Sequence, residues 1–178
     1  GEIGIDGSLV NGSRKKAPNN NASNEKREFI REVPGGCMCC AAGLPMQIAL
    51  NQLLAESKPN RLLIEPTGLG HPIEVLQTLA AEHYQDVLDI QKTVTLVDAR
   101  KLADPRYTSH DTFNQQIAIA DVIVGNKQDL YTHSDAEALE TYVVQRTKPN
   151  TPVLLCEKGE FPISVLKGSS SALTHIKA

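Results

Sequence analysis

An α/β fold, a mainly parallel sheet flanked by helices, is what this sequence predicts, and three observations predict it. Short aliphatic and β-branched runs alternate with segments whose apolar residues fall at helical spacing. Several of those runs end abruptly at turn-forming or polar residues: Pro34-Gly35-Gly36, Pro66-Thr67-Gly68 and Asp98. The length of 178 residues suits one domain, and a 40% hydrophobic content supplies its core.

The first unit is strand, tight turn, helix. Residues Glu28 to Val33 read as a short strand entering the Pro-Gly-Gly turn, after which Met46, Ala49, Leu50, Leu53 and Leu54 fall on a helical stripe. Arg61 to Glu65 is a compact apolar run expected to be a buried strand, and Ile73, Leu76 and Ala80 mark the next helix. Thr93 to Val97 is a strand by its β-branched content, Phe113, Ile117 and Ala120 form a helical stripe, and Asp121 to Val124 is a strand again. Ser134 and Glu137 have capping-box spacing ahead of Ala138, Leu139, Tyr142 and Val143, and Pro152 to Leu155 supplies the last strand. Repeated alternation of this kind builds a parallel sheet through helical crossovers.

Two segments stand apart. Residues 11–27, with Arg14-Lys15-Lys16 and Asn19-Asn20-Asn21, are polar and poor in core formers, and are expected to be a surface insertion. Residues 161–178, with Ser169-Ser170-Ser171, resemble a linker or the start of a further C-terminal region, which leaves 1–160 as the domain.

Composition excludes several classes of function. The net charge of −3 comes from 18 basic and 21 acidic residues interspersed along the chain, so no broad field favours nucleic acid or an anionic membrane. No apolar run approaches the roughly 20 residues of a membrane span, and a cytoplasmic location is expected. Of four cysteines, three lie within four positions, too close to pair freely as disulfides, which points to metal binding or redox chemistry.

Three motifs carry chemistry. Asn126-Lys127-Gln128-Asp129 follows an apolar strand. A loop at the carboxyl end of a parallel strand is where an open α/β sheet presents ligands, and a carboxylate there accepts two N–H bonds from guanine that adenine cannot offer. Asn126 would tie adjoining loops together and the stem of Lys127 would cover the base; the bland reading is an ordinary polar turn. Glu157-Lys158-Gly159 follows the next strand, where a second loop would support the base, or Lys158 is simply exposed.

Glu65-Pro66-Thr67-Gly68 leaves a strand with a carboxylate at its tip and a glycine three residues on, suited to organising hydrated Mg²⁺ and approaching a terminal phosphate. Pro-Thr-Gly is also a common turn. In Gly36-Cys37-Met38-Cys39-Cys40, three soft ligands favour a thiophilic transition metal, and Gly35 and Gly36 let the backbone turn tightly. Buried or redox-active thiols are the alternative. Three cysteines leave a tetrahedral zinc one ligand short.

In their order along the chain, Gly36 to Cys40, then Glu65 to Gly68, then Asn126 to Asp129, the motifs resemble the CobW-like, YjiA-type P-loop GTPases, a metallochaperone family related to HypB and UreG. The resemblance covers nearly the whole chain, from Gly1-Glu2-Ile3-Gly4-Ile5-Asp6, similar to the end of the family's Asn-Glu-Phe-Gly switch, to Asn126–Asp129, with a looser match at Gln115 to Asp121. It implies a P-loop fold and an intact protein that binds GTP and Mg²⁺, hydrolyses the nucleotide, and couples its state to delivery of zinc, cobalt or a related metal to a recipient metalloprotein. It further implies catalytic roles for Glu65 and Gly68, nucleotide contacts from Asn126, Lys127, Asp129 and Lys158, and metal ligation by Cys37, Cys39, Cys40 and Glu2.

The sequence departs from the family pattern in having no G-x-x-x-x-G-K-[ST] phosphate cradle. The chain is therefore expected to start inside its domain and, alone, to be inactive as a GTPase. The alternative reading is a non-catalytic metal-binding, thiol-redox or interaction module. The five histidines are left outside the site.

Overall fold

A computed structural model describes residues 43–66 and 71–175, and the chain divides into two units, Gly1–Gly70 and His71–Ala178. In the first, helix α1 (Leu44–Ser57) carries a proline in its first turn, where the absent N–H costs nothing. It ends at Lys58, whose left-handed φ of 41° turns the chain and whose N–H closes on Leu54 O. Of the stripe expected on it, Met46 and Leu50 are buried, an i, i+4 pair on one face.

Residues 61–65 form no strand, contrary to expectation. A strand exists by its ladder, and these residues have no ladder partner among the described residues. Leu63, at the middle of the apolar run, is 72% exposed. The expected strand at Glu28–Val33 lies outside the described residues.

The second unit holds the sheet. Helix α2 (Pro72–Leu79) buries Val75, Leu76 and Leu79, with Ala80 as its cap. Strands β1 (Val94–Val97), β2 (Val122–Gly125) and β3 (Val153–Leu155) pair in the order β1-β2-β3, all parallel. The crossovers carry a short helix α3 (Pro105–Thr108) with α4 (Asp111–Ala118), then α5 (His133–Arg146).

Central β2 is buried at all four positions, which is why its sequence, Val-Ile-Val-Gly, has no polar alternation. Ile123 faces a core of Val97, Ala99, Ile117, Ala120, Leu139, Tyr142 and Val143, from β1, α4, α5 and the residues just after β1 and α4. Val122 and Val124 face the other way, onto Cys156 with Val94, Leu154, Phe161 and Val165. That second layer draws on the stretch after residue 160, whose composition resembles a linker.

Asp121 fastens the same stretch at the amino edge of the sheet. Its carboxylate accepts hydrogen bonds from the Thr93 N–H, the Ser170 hydroxyl and the Ser171 N–H, each at 2.8 Å, and from the Ser171 hydroxyl. Burial pushes this carboxyl up, but the hydrogen bonds from Ser171, Thr93 and Ser170 outweigh it and hold the group below its ordinary range.

Helix α5 is capped differently from expectation. Thr132 is the N-cap and Asp135 the third helical residue, each side chain bonded to the other's backbone N–H, so the box sits two residues before Ser134 and Glu137. Both pairs have the same spacing; Thr132 wins because the extended chain turns helical right after it, and Ser134 and Glu137 are already inside the helix. Among the described residues, no helix is long and apolar enough to cross a membrane.

Candidate functional site

At the carboxyl edge of the sheet three loops meet, one after each strand. The loop after β2 is the hub. Gly125 closes β2 where a β-carbon would come within 2.7 Å of both Leu139 and Leu155, so only glycine fits without displacing those side chains. Asn126 follows and is held on three sides. Its N–H donates to Val97 O of β1 at 2.9 Å, its carbonyl accepts from the Tyr131 hydroxyl at 2.6 Å, and its Oδ1 accepts from the Gly159 N–H at 3.1 Å.

Asn126 thereby links the loop after β2 to both neighbours. The Gln128 N–H donates to Cys156 O at 3.0 Å and the Cys156 N–H to Gly125 O at 2.9 Å, continuing the ladder past the end of β3. Lys158 and Gly159 both adopt left-handed backbone, φ 51° and 73°, which brings the Gly159 amide round to Asn126.

Lys127 is itself left-handed, φ 66°, and starts a 3-10 turn, Gln128–Leu130, that carries Asp129. Asp129 is exposed, as are Lys127 and Lys158. The Lys127 ammonium lies 3.4 Å from Asp98 Oδ2, at the tip of β1. Asp98 is gripped more closely by Arg100, through Nη2 at 2.7 Å and Nε at 2.9 Å. The Arg100 hydrogen bond, assisted by Lys127 and opposed by burial, lowers the Asp98 carboxyl to about 2. At neutral pH an ionised carboxylate therefore stands between the two cations.

Asn126, Lys127, Asp129 and Lys158 are thus gathered on one edge. Glu65 is exposed and belongs to the other unit. Gly68, Cys37, Cys39, Cys40 and Glu2 lie outside the described residues. Among the described residues, no group of three His, Cys, Asp or Glu side chains is placed to hold a metal.

Sequence reasoning missed Asp98, Tyr131 and Cys156 as parts of this edge. Asp98 had a signal, an acid directly after a parallel strand. Cys156 had a fainter one, standing between β3 and Glu157-Lys158-Gly159, where it is buried with its thiol 3.5 Å from Asn126 Oδ1. Tyr131 had none.

A parallel sheet whose carboxyl-edge loops are laced around an N-K-x-D turn defines a P-loop GTPase-like α/β domain. The chain belongs to the CobW/HypB/UreG family, whose nucleotide-binding domain matches residues 1–154. It is similar to the zinc chaperone YeiR of Escherichia coli, 44% identical over 142 residues that cover 80% of this chain and 39% of that protein. It is also similar to the zinc chaperone CobW of Sinorhizobium sp, 25% identical over 94% of this chain and 52% of that protein. The zinc-regulated GTPase metalloprotein activator 1 of Dictyostelium discoideum is 22% identical over 91% of the chain and 39% of its own length. The chain therefore spans between two-fifths and about half of these relatives. No solved structure gives a significant match.

Proposed function

We propose that this chain is the base-recognising and metal-binding part of a GTP-dependent zinc metallochaperone. The observation that carries the reading is the placement of Asp129 on a turn whose preceding residues, Asn126 and Gln128, are bonded to the loops or strand ends on both sides. A carboxylate held on a fixed turn at the carboxyl edge accepts the N1–H and 2-amino N–H of guanine together, a pair adenine lacks. The exposed aliphatic stem of Lys127 covers the base, and Lys158 with the Gly159 turn supports it from the next loop.

The relatives' names supply the metal. In this reading Cys37, Cys39 and Cys40 hold zinc as thiolates, with Glu2 as a further ligand, and the metal is cargo for a recipient metalloprotein. Cobalt suits the same donor set. Glu65 and Gly68 act on the phosphate side, Glu65 by ordering Mg²⁺-bound water and Gly68 by closing on the terminal phosphate. Nucleotide state then changes the geometry of the cysteine site and sets when the metal leaves. Hydrolysis belongs to the intact protein, which works in the cytoplasm and uses neither nucleic acid nor membrane as a partner. The chain by itself, without a G-x-x-x-x-G-K-[ST] segment, turns over negligible GTP.

Calorimetry on the complete gene product tests the base assignment. GTP is expected to bind well ahead of ATP, and Asp129→Ala to weaken GTP by about 2 to 4 kcal/mol, since the guanine donors lose a charged acceptor. Equal affinity for GTP and ATP in the unmodified protein would sink the reading.

A further inference from the structure

We propose that Tyr131 is a positioning residue for guanine recognition, acting through the backbone of Asn126. The inference rests on the reading of Asp129 as the base acceptor. The Tyr131 hydroxyl lies at the junction of two strand ends: 2.6 Å from Asn126 O, 3.1 Å from Val97 O, and 2.9 Å from the Ala99 N that donates to it. One phenolic oxygen thus joins the peptide that opens the N-K-x-D turn to the peptides that end β1.

The ring and the turn are joined at both ends. The Tyr131 N–H donates to Gln128 O at 3.0 Å and the Leu130 N–H to Lys127 O at 2.9 Å, so Tyr131 closes the 3-10 turn that contains Asp129. Its hydroxyl then reaches back to the residue preceding Lys127. Asp129 lies inside a loop closed on itself by this single side chain and pinned to β1 by the same atom. The ring is half-buried and packs against the core of β1, β2, α4 and α5, which keeps the hydroxyl from swinging away.

Loss of the hydroxyl leaves the Ala99 N–H without its acceptor and the Asn126 carbonyl without its donor, and frees the turn to shift. A carboxylate accepting two parallel N–H bonds tolerates such a shift poorly, because both bonds need one orientation. A base that offers one N–H tolerates it better. Tyr131→Phe should therefore lower GTP affinity more than it lowers affinity for inosine triphosphate, which lacks the 2-amino group.

The experiment is calorimetric titration of GTP, inosine triphosphate and ATP into the complete gene product and two variants. Tyr142→Phe is the matched control: it also removes a phenolic hydroxyl, one that donates to Asn114 Oδ1 at 2.6 Å, away from the turn. In Tyr131→Phe the preference for GTP over inosine triphosphate is expected to shrink by about three- to tenfold, the scale of one hydrogen bond made or lost. In Tyr142→Phe the preference should stay at its original value even if stability falls.

A Tyr131→Phe protein that keeps the full preference overturns the proposal while leaving the Asp129 reading intact. No preference for GTP over ATP in the unmodified protein removes the Asp129 reading, and this proposal with it. Amide exchange offers an arm that needs no variant. By reciprocity, a turn that Tyr131 holds for guanine must be tightened by guanine, so the Ala99 amide should exchange more slowly with GTP bound. Unchanged Ala99 exchange at saturating GTP also counts against the proposal.

Discussion

Asp98 shows how a residue outside the recognised motifs shapes the site. Its carboxylate has two cationic neighbours and only 16% side-chain exposure, so it is ionised at neutral pH. Its folded value of about 2 lies below the ordinary 3.8. A depressed carboxyl favours the folded state above its ordinary value, and that contribution drains away as pH falls through the folded one. Relative to Asp98→Asn, the protein should therefore be more stable by about 1 kcal/mol above pH 5, after allowance for solvent screening. The gap should close between about pH 4 and pH 2, and urea unfolding midpoints measured across that range check it. A gap that stays constant to the lowest pH would mean the carboxyl is not held down by Arg100 and Lys127. Because Asp98 also restrains Lys127, the same variant frees an ammonium that is already 55% exposed.

At the scale of elements, strand chemistry was legible and tertiary partnership was not. β1, β2 and β3 fall within a residue or two of their expected places: the flanking strands are marked by aliphatic and β-branched content, and central β2, buried at every position, is an unbroken apolar run, Val122-Ile123-Val124. Arg61 to Glu65 has the same look, yet it forms no strand among the described residues, since a run of side chains does not say which neighbour supplies the ladder. Capping is a second case. The spacing of Thr132 with Asp135 equals that of Ser134 with Glu137, and only the backbone tells them apart. Thr132→Ala should cost about 1 kcal/mol, because the Asp135 amide loses its acceptor. Ser134→Ala should stay within about 0.5 kcal/mol. Thermal melts of the two variants decide between the two boxes, and an equal loss from both would return the cap to a shared role.

For the whole molecule, the site divides into a part that local sequence reveals and a part that only the fold assembles. Asn126, Lys127 and Asp129 stand in one tetrapeptide, so their grouping needs no tertiary structure. Their restraints come from Val97, Asp98, Tyr131 and Gly159, and in each case but Tyr131 from roughly 30 residues away, beyond the reach of periodicity. The stretch after residue 160 is similar: its serines look like a linker, but Ser170 and Ser171 complete the hydrogen bonding of Asp121, and Phe161 covers β2. Composition reports solubility, not the partner that a particular hydroxyl meets.

The metal reading rests on a cluster as local as Asn126–Asp129, and its test is correspondingly direct. Reduced protein is expected to bind Zn²⁺ or Co²⁺ through at least two of Cys37, Cys39 and Cys40, with Cys37 and Cys39 the better spaced pair and Cys40 constrained by its neighbour. Thiolates bind and thiols do not, so binding releases protons and affinity climbs with pH until the cysteines are deprotonated without the metal. Tetrahedral thiolate-bound Co²⁺ absorbs intensely in the visible and adds sulfur charge-transfer bands. Replacing Cys37 and Cys39 by serine should abolish most of that signal. Cys156→Ser is the internal control. Cys156 is 5% exposed and its thiol faces Asn126, so it offers a metal no open approach and its loss should spare the spectrum. A double variant that keeps both the spectrum and the affinity of the unmodified protein would show that the ligands are not in the cysteine cluster, and zinc handling would lose its chemical basis here.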